Sequence, residues 1–348
     1  MTAAEVFPDP APNPAHQYHS LKVSPRLSGI TTPSSSTIKA LTDIKYGRAE
    51  ERPLRELHYE DAKALVELQQ QYHFPYLSDG QQLWGDLLRP VYEGMENVEV
   101  GSQTRWFETN GFCFPPRIVG KPKAGKPQRN ESHLAKYLYL DLVPERRQLT
   151  LPGLYTLCRM AENVAEIGTG ALLEAFAQQL EGILETLPRG TALVEFTEPA
   201  LAYDVKTDYP QRKQMLALAK LSYQYLLRQH RTITIIQLPD DDWQAIPELL
   251  DLSVDGFGVD LLETIPTTIP AKTINLEGKI LSAGIINAWE SYPDDLNWAE
   301  QRVRQAIGCW QPERVYITTN AQLYHTISHQ YAQNKIQKII SLAERLGR

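Results

Sequence analysis

The chain has 348 residues, 42% of them apolar and 22% charged, a globular composition long enough to bury one large core. Its formal charge of -7 gives no long-range attraction to phosphate backbones or anionic lipid, which argues against nucleic acid and membrane as partners. Cys113, Cys158 and Cys309 lie far apart with no CxxC pair, so neither a disulfide scaffold nor a cysteine-rich zinc module is expected; with no spanning apolar run and no secretory leader, the expected location is the cytoplasm.

Residues 1–26 carry Pro8, Pro10, Pro12, Pro14 and Pro25 with little apolar periodicity and read as an extended arm, in which His16 and His19 belong to a solvated tail rather than a metal site. From residue 27 to 348 short β-rich runs alternate with segments of helical period. Strands are predicted at 27–31, 74–78, 148–151, 192–196, 232–238, 254–259, 279–285 and 314–318. Helices are predicted at 37–46, 59–72, 171–187, 215–228, 298–307 and 331–346. Eight strand candidates, with no glycine-rich phosphate turn after the first, favour a single (β/α)8 TIM barrel over a doubly wound open sheet. The interval 96–129 breaks the alternation. Its alternating apolar residues flank Thr109-Asn110-Gly111, which predicts a β-hairpin inserted after the second βα unit, and the basic stretch 121–130 reads as a solvated tip.

Barrel chemistry collects where strands end. The polar residues there include Thr31 and Thr32, Asp79 and Gln81, Tyr155, Thr197 and Glu198, Gln237, Glu263, Asn287 and Glu290, and Thr319 and Asn320. Glu198 and Glu263 could share the mouth and do acid–base work or hold a cation; pairing with a loop arginine or capping a helix is the structural alternative. No GxSxG, HExxH, P-loop or strand-end Cys with a His partner is present, so nucleophilic hydrolysis has no support.

Seven segments in order, 78–94 (SDGQQLWGDLLRPVYEG), 105–110 (RWFETN), 151–160 (LPGLYTLCRM), 196–201 (FTEPAL), 254–264 (VDGFGVDLLET), 281–291 (LSAGIINAWES) and 313–323 (ERVYITTNAQL), resemble the catalytic barrel of cobalamin-independent methionine synthase, and more closely its short single-barrel relatives. The resemblance implies a barrel that moves a methyl group from methyl-folate or a methyl-corrinoid to homocysteine. It also implies a zinc ion that ionises the substrate thiol, held by a His-x-Cys on strand five, a Glu after strand six and a Cys after strand eight. On this sequence the glutamate falls on Glu263. The His-x-Cys falls within 234–237, where Thr234 and Gln237 stand, and the last cysteine falls on Ala321. His325, or His329 four residues on, is the substitute imidazole the sequence offers. The resemblance further places substrate contacts at Thr32, Asp79, Gln81, Thr197, Glu198, Asn287 and Asn320, and takes the chain to lack the amino-terminal half of the long enzymes. The expected protein is therefore a divergent family member that has lost its zinc–thiolate centre and binds a small molecule in the barrel mouth, or a protein partner. Zinc is the only cofactor it suggests. An active homocysteine methyltransferase, and a uroporphyrinogen decarboxylase-like barrel acting on a tetrapyrrole, are the alternatives.

Overall fold

The computed structural model describes residues 21–48, 52–107, 111–125, 133–227, 232–238, 245–270, 272–289, 294–325 and 328–348. The strands in chain order are β1 (Lys22–Pro25), β2 (Glu96–Val100), β3 (Thr104–Arg105), β4 (Phe112–Cys113), β5 (Pro116–Lys123), β6 (Arg147–Pro152), β7 (Glu162–Asn163), β8 (Thr191–Thr197), β9 (Ile233–Leu238), β10 (Gly256–Asp260), β11 (Ile280–Ile286) and β12 (Arg314–Thr319). The helices are α1 (Ser35–Lys45), α2 (Arg52–Gln71), α3 (Arg89–Tyr92), α4 (Leu154–Met160), α5 (Thr169–Glu185), α6 (Pro199–Lys206), α7 (Arg212–Leu227), α8 (Ala245–Leu249), α9 (Leu296–Trp310) and α10 (His329–Leu346).

Seven strands form one parallel sheet in the order β1-β12-β11-β10-β9-β8-β6. Its central strands are covered on both faces, so they read as near-continuous apolar runs; every residue of β11, ILSAGII, is buried. The sheet curls until its two edges meet: Gln148 on β6 donates to the Leu27 carbonyl just after β1 at 2.8 Å. Beside β6, between those edges, runs backbone that is not a strand. Leu77 makes a single parallel bridge to Arg147. Four residues on, Gln81 completes the edge with its side chain, donating to the Thr150 carbonyl at 2.9 Å and accepting from the Thr150 N–H at 2.7 Å.

Two expectations shift. The second predicted strand, 74–78, reduces to the Leu77 bridge, because the chain turns away through Gly80 and Gln81 at positive φ and an amide side chain takes the place of ladder backbone. The first strand begins at Lys22 rather than 27, so 22–25 of the predicted arm pair with β12. Its KVSP has one strong apolar residue and ends on Pro25, which a short strand beside a non-strand neighbour tolerates. The buried residues 27–30 line the turn that follows. His16 and His19 lie outside the described residues.

Beyond the sheet, β2 pairs antiparallel with β5 and β3 with β4, and β7 joins β5 in parallel; residues 108–110 of the intervening turn lie outside the described residues. Helix ends follow local chemistry. Ser34 accepts from the Thr37 N–H to start α1, and Asp295 accepts from Asn297 and Trp298 to start α9, which ends at Gln311 in the left-handed region. No helix among the described residues is long and apolar enough to cross a membrane.

Candidate functional site

The sheet interior carries a polar layer below the mouth. Arg26, fully buried after β1, forms an ion pair with Glu195 on β8 and donates to Ser282 on β11 at 2.7 Å. Glu195 also accepts from Ser28 at 2.6 Å and Thr150 at 3.2 Å, and Ser282 donates to the Gln237 Oε1 at 3.2 Å. The last bond needs a glycine. Gln237, Gly258 and Ser282 stand in register across β9, β10 and β11, and a Cβ at Gly258 would lie 1.7 Å from the Gln237 Oε1. Each charge in this layer has a partner, as buried charges must, yet the layer holds more donors than it uses. Arg26 Nε and Nη1 and Gln237 Nε2 are buried with no hydrogen-bond partner.

Above this layer opens a cavity of about 600 Å³, counting its open mouth. Glu195, Gln237 and Thr150 form its floor and Thr197 and Asn320 part of its rim. Trp106 and Phe107 from the β3–β4 turn wall one part, and Trp289 after β11 lines another. The Trp106 backbone N–H donates to the Gly111 carbonyl at 2.8 Å, and the Phe107 ring lies 5.5 Å from that of Tyr203 on α6. Among the described residues no lysine or arginine lines the cavity.

The residues named from the sequence divide into two groups. Thr197, Gln237, Asn320 and Ala321 line the cavity; Asn320 is braced by Asp260, to which it donates at 3.0 Å, and by the Ala288 N–H. The others serve the fold. Asp79 accepts from the Tyr139 and Gln81 N–H groups, and burial raises its carboxyl above the usual range despite those bonds. Thr32 donates to the Leu323 carbonyl, while Asn287 accepts from the Trp289 N–H within its own loop. Thr234 lies at the other end of β9, where its N–H donates to Asp255. Glu198 is 1% exposed. It accepts from the Tyr155 and Thr156 N–H groups, the Thr156 hydroxyl and Tyr223, and so caps α4; burial raises its pKa. Glu263 is exposed, and neither it nor Glu198 lines the cavity, so the structure does not assemble the pair of carboxylates expected at the mouth. The side chain of His325 and the whole of Glu290 lie outside the described residues.

Reading strand ends alone overlooked Arg26, Ser28, Thr150, Glu195 and Ser282. The available signal was a polar residue inside an otherwise apolar strand, as in LVEF or LSAG; Trp106 and Trp289 lay within the quoted motifs.

A family model described as "Cobalamin-independent synthase, N-terminal domain" matches residues 76–308, two thirds of the chain. The chain belongs to the cobalamin-independent synthase family. The family is the one the motifs resemble, but the matching domain is the amino-terminal one, not the catalytic carboxy-terminal barrel whose zinc ligands the resemblance implies. Thr234, Gln237 and Ala321 therefore need not be positions that once held zinc. Curated relatives include a 5-methyltetrahydropteroyltriglutamate–homocysteine methyltransferase of Catharanthus roseus, 25% identical over 75% of this chain and 34% of its own length, and one of Mycobacterium bovis, 26% identical over 67% and 30%. The chain thus spans about a third of the length of the relatives it matches. Among solved structures, a B12-independent methionine synthase from Shewanella sp. W3-18-1, in complex with selenomethionine, has a TM-score of 0.65 at 14% identity and covers 92% of this chain and 97% of its own. A putative vitamin-B12 independent methionine synthase from Listeria monocytogenes scores 0.66 at 13% identity, with 93% and 98% covered. These two share the fold.

Among the described residues no three His, Cys, Asp or Glu side chains stand close enough to hold a metal ion, so these residues offer zinc no donor set. None of the three cysteines lines the cavity, and burial pushes the thiols of Cys113 and Cys158 up to about 12. The tetrapyrrole alternative is not favoured either, since the described lining holds no cation for its several carboxylates to meet.

Proposed function

We propose that this chain is a ligand-binding member of the family, whose mouth takes a flat, neutral ring and which runs no zinc–thiolate methyl transfer. One observation carries the reading: the Gln237 Nε2, on a side chain 2% exposed and lining the cavity, is a hydrogen-bond donor without a protein partner. A buried donor left unpaired costs about 1–3 kcal/mol, and a ligand acceptor placed against it recovers that cost. Trp106, Phe107 and Trp289 favour an aromatic body, and Glu195, which lines the cavity while its partner Arg26 does not, disfavours an anionic one. Of the two molecules in the relatives' names, the pteridine ring of 5-methyltetrahydropteroyltriglutamate meets these requirements. Homocysteine offers no ring, and its carboxylate sits too close to its sulfur to stay in solvent as the glutamate tail of the pterin can; the described lining gives that carboxylate no cation.

Titration of the full chain by tryptophan fluorescence and calorimetry tests this. Saturable quenching is expected with 5-methyltetrahydrofolate, with little response to L-homocysteine or L-methionine, and zinc by elemental analysis well below one per chain. Stoichiometric zinc together with methylation of homocysteine would replace this reading with the active methyltransferase.

A further inference from the structure

A second cavity lies outside the sheet, between α2 and α10. It encloses about 570 Å³, counting its open side, and its lining includes Asp61, Leu65 and Leu68 from α2 and His329, Ala332 and Ile336 from α10. It shares no residue with the mouth.

Asp61 uses one oxygen, Oδ2, to accept from the Ser34 N–H and the Thr37 hydroxyl, each at 2.7 Å; among the described residues Oδ1 takes no hydrogen bond and the carboxylate makes no ion pair. His329 Nδ1 stands 3.1 Å from the Thr32 carbonyl and Nε2 lies 2.8 Å from the Gln333 amide nitrogen, so both ring nitrogens are engaged. Asp61 is the one carboxylate in the described lining, which holds no lysine or arginine; it is half-buried and faces a wall in which Ala332 and Ile336 are fully buried and Leu65 and Leu68 partly so.

We propose that this cleft binds a small organic monocation, an ammonium or guanidinium on an alkyl stem, with the cationic head on the free Asp61 oxygen and the stem along Leu65, Leu68 and Ile336. The match is one of both charge and shape. An anion would be repelled by Asp61, and a hydrated metal ion would gain nothing from the apolar wall and find one free carboxylate oxygen where it needs several. An alkylamine buries its stem and pairs its head, the arrangement lysine adopts on protein surfaces.

n-Pentylamine is the probe, with n-pentanol as its uncharged counterpart, titrated against the full chain by calorimetry. The amine should bind saturably and at least tenfold more tightly than the alcohol. Asp61→Asn keeps an oxygen for Ser34 and Thr37 and should abolish that preference, while Gln237→Leu in the mouth should leave it unchanged. Leu68→Lys, which supplies a tethered ammonium, should block the amine and serves as the second variant should Asp61→Asn not fold. Equal binding of amine and alcohol, or amine binding that survives Leu68→Lys, would overturn the proposal. Loss of amine binding in Gln237→Leu would place the amine in the mouth and overturn it as well.

Discussion

The polar layer inside the sheet and the α4 cap beside it make an instructive contrast. Both centre on a glutamate from the same short stretch, Glu195 and Glu198, and both are buried. At the cap every donor has an acceptor: two backbone N–H groups and two hydroxyls converge on Glu198. In the interior the donors outnumber the acceptors, with Arg26 and Gln237 keeping unpaired N–H groups. A saturated carboxylate holds the fold, whereas a site with hydrogen-bonding capacity to spare can receive a guest. Burial of a charged residue does not by itself distinguish the two.

The strongest test of this contrast is to break the interior pair. Arg26→Met leaves the Glu195 carboxylate with only the Ser28 and Thr150 hydroxyls, and should cost about 3–5 kcal/mol in urea unfolding, as expected when one partner of a buried ion pair is removed. Adding Glu195→Leu should return most of that loss, since an apolar pair of similar size is often no less stable. A single variant within about 1 kcal/mol of the parent would mean that the pair is not desolvated.

A smaller effect is expected at the cap, and it carries a pH signature. Glu198→Gln replaces one acceptor oxygen by an NH2 group facing N–H and O–H donors, at about 2 kcal/mol. Burial holds the folded-state pKa of Glu198 above the ordinary 4.5, so between 4.5 and that raised value the folded chain keeps a proton that the unfolded chain has released. The contribution of the carboxyl is complete below 4.5 and shrinks as the pH rises through this window. The gap between parent and variant in unfolding free energy should therefore be wider at about pH 5 than at about pH 8. A gap that widens with pH would show that the four hydrogen bonds outweigh desolvation.

The same contrast explains what could be read from the sequence. The strands at 148–151, 192–196, 232–238, 279–285 and 314–318 were visible as apolar runs between turn signals, and α5, α7, α9 and α10 through their 3.6-residue period. The edge beside β6 was not, because the Gln81 amide does the work of backbone there and leaves no strand pattern. Gln237 and Asn320 were found because they stand near strand ends. Arg26 and Glu195 were missed because their pairing spans 169 positions, and no local spacing encodes it. Glu198 and Glu263 both looked like mouth residues, since a capping carboxylate, an exposed one and a ligand-facing one share a sequence signature until their partners are known.

The smallest effect on stability falls at Gln237, which makes it the most discriminating variant. Gln237→Leu keeps the volume and removes both the unpaired N–H and the oxygen that accepts from Ser282. Ser282 still accepts from Arg26, so the lost bond, worth about 1 kcal/mol, is offset by release of a buried donor that had no partner. Stability should therefore change by less than about 1 kcal/mol. Affinity for a ring ligand in the mouth should fall about tenfold, the equivalent of one hydrogen bond at about 1.4 kcal/mol. A structural residue would show the opposite pattern, a clear loss of stability with unchanged binding, and Gln237 would then belong with Glu198 as part of the frame around the cavity.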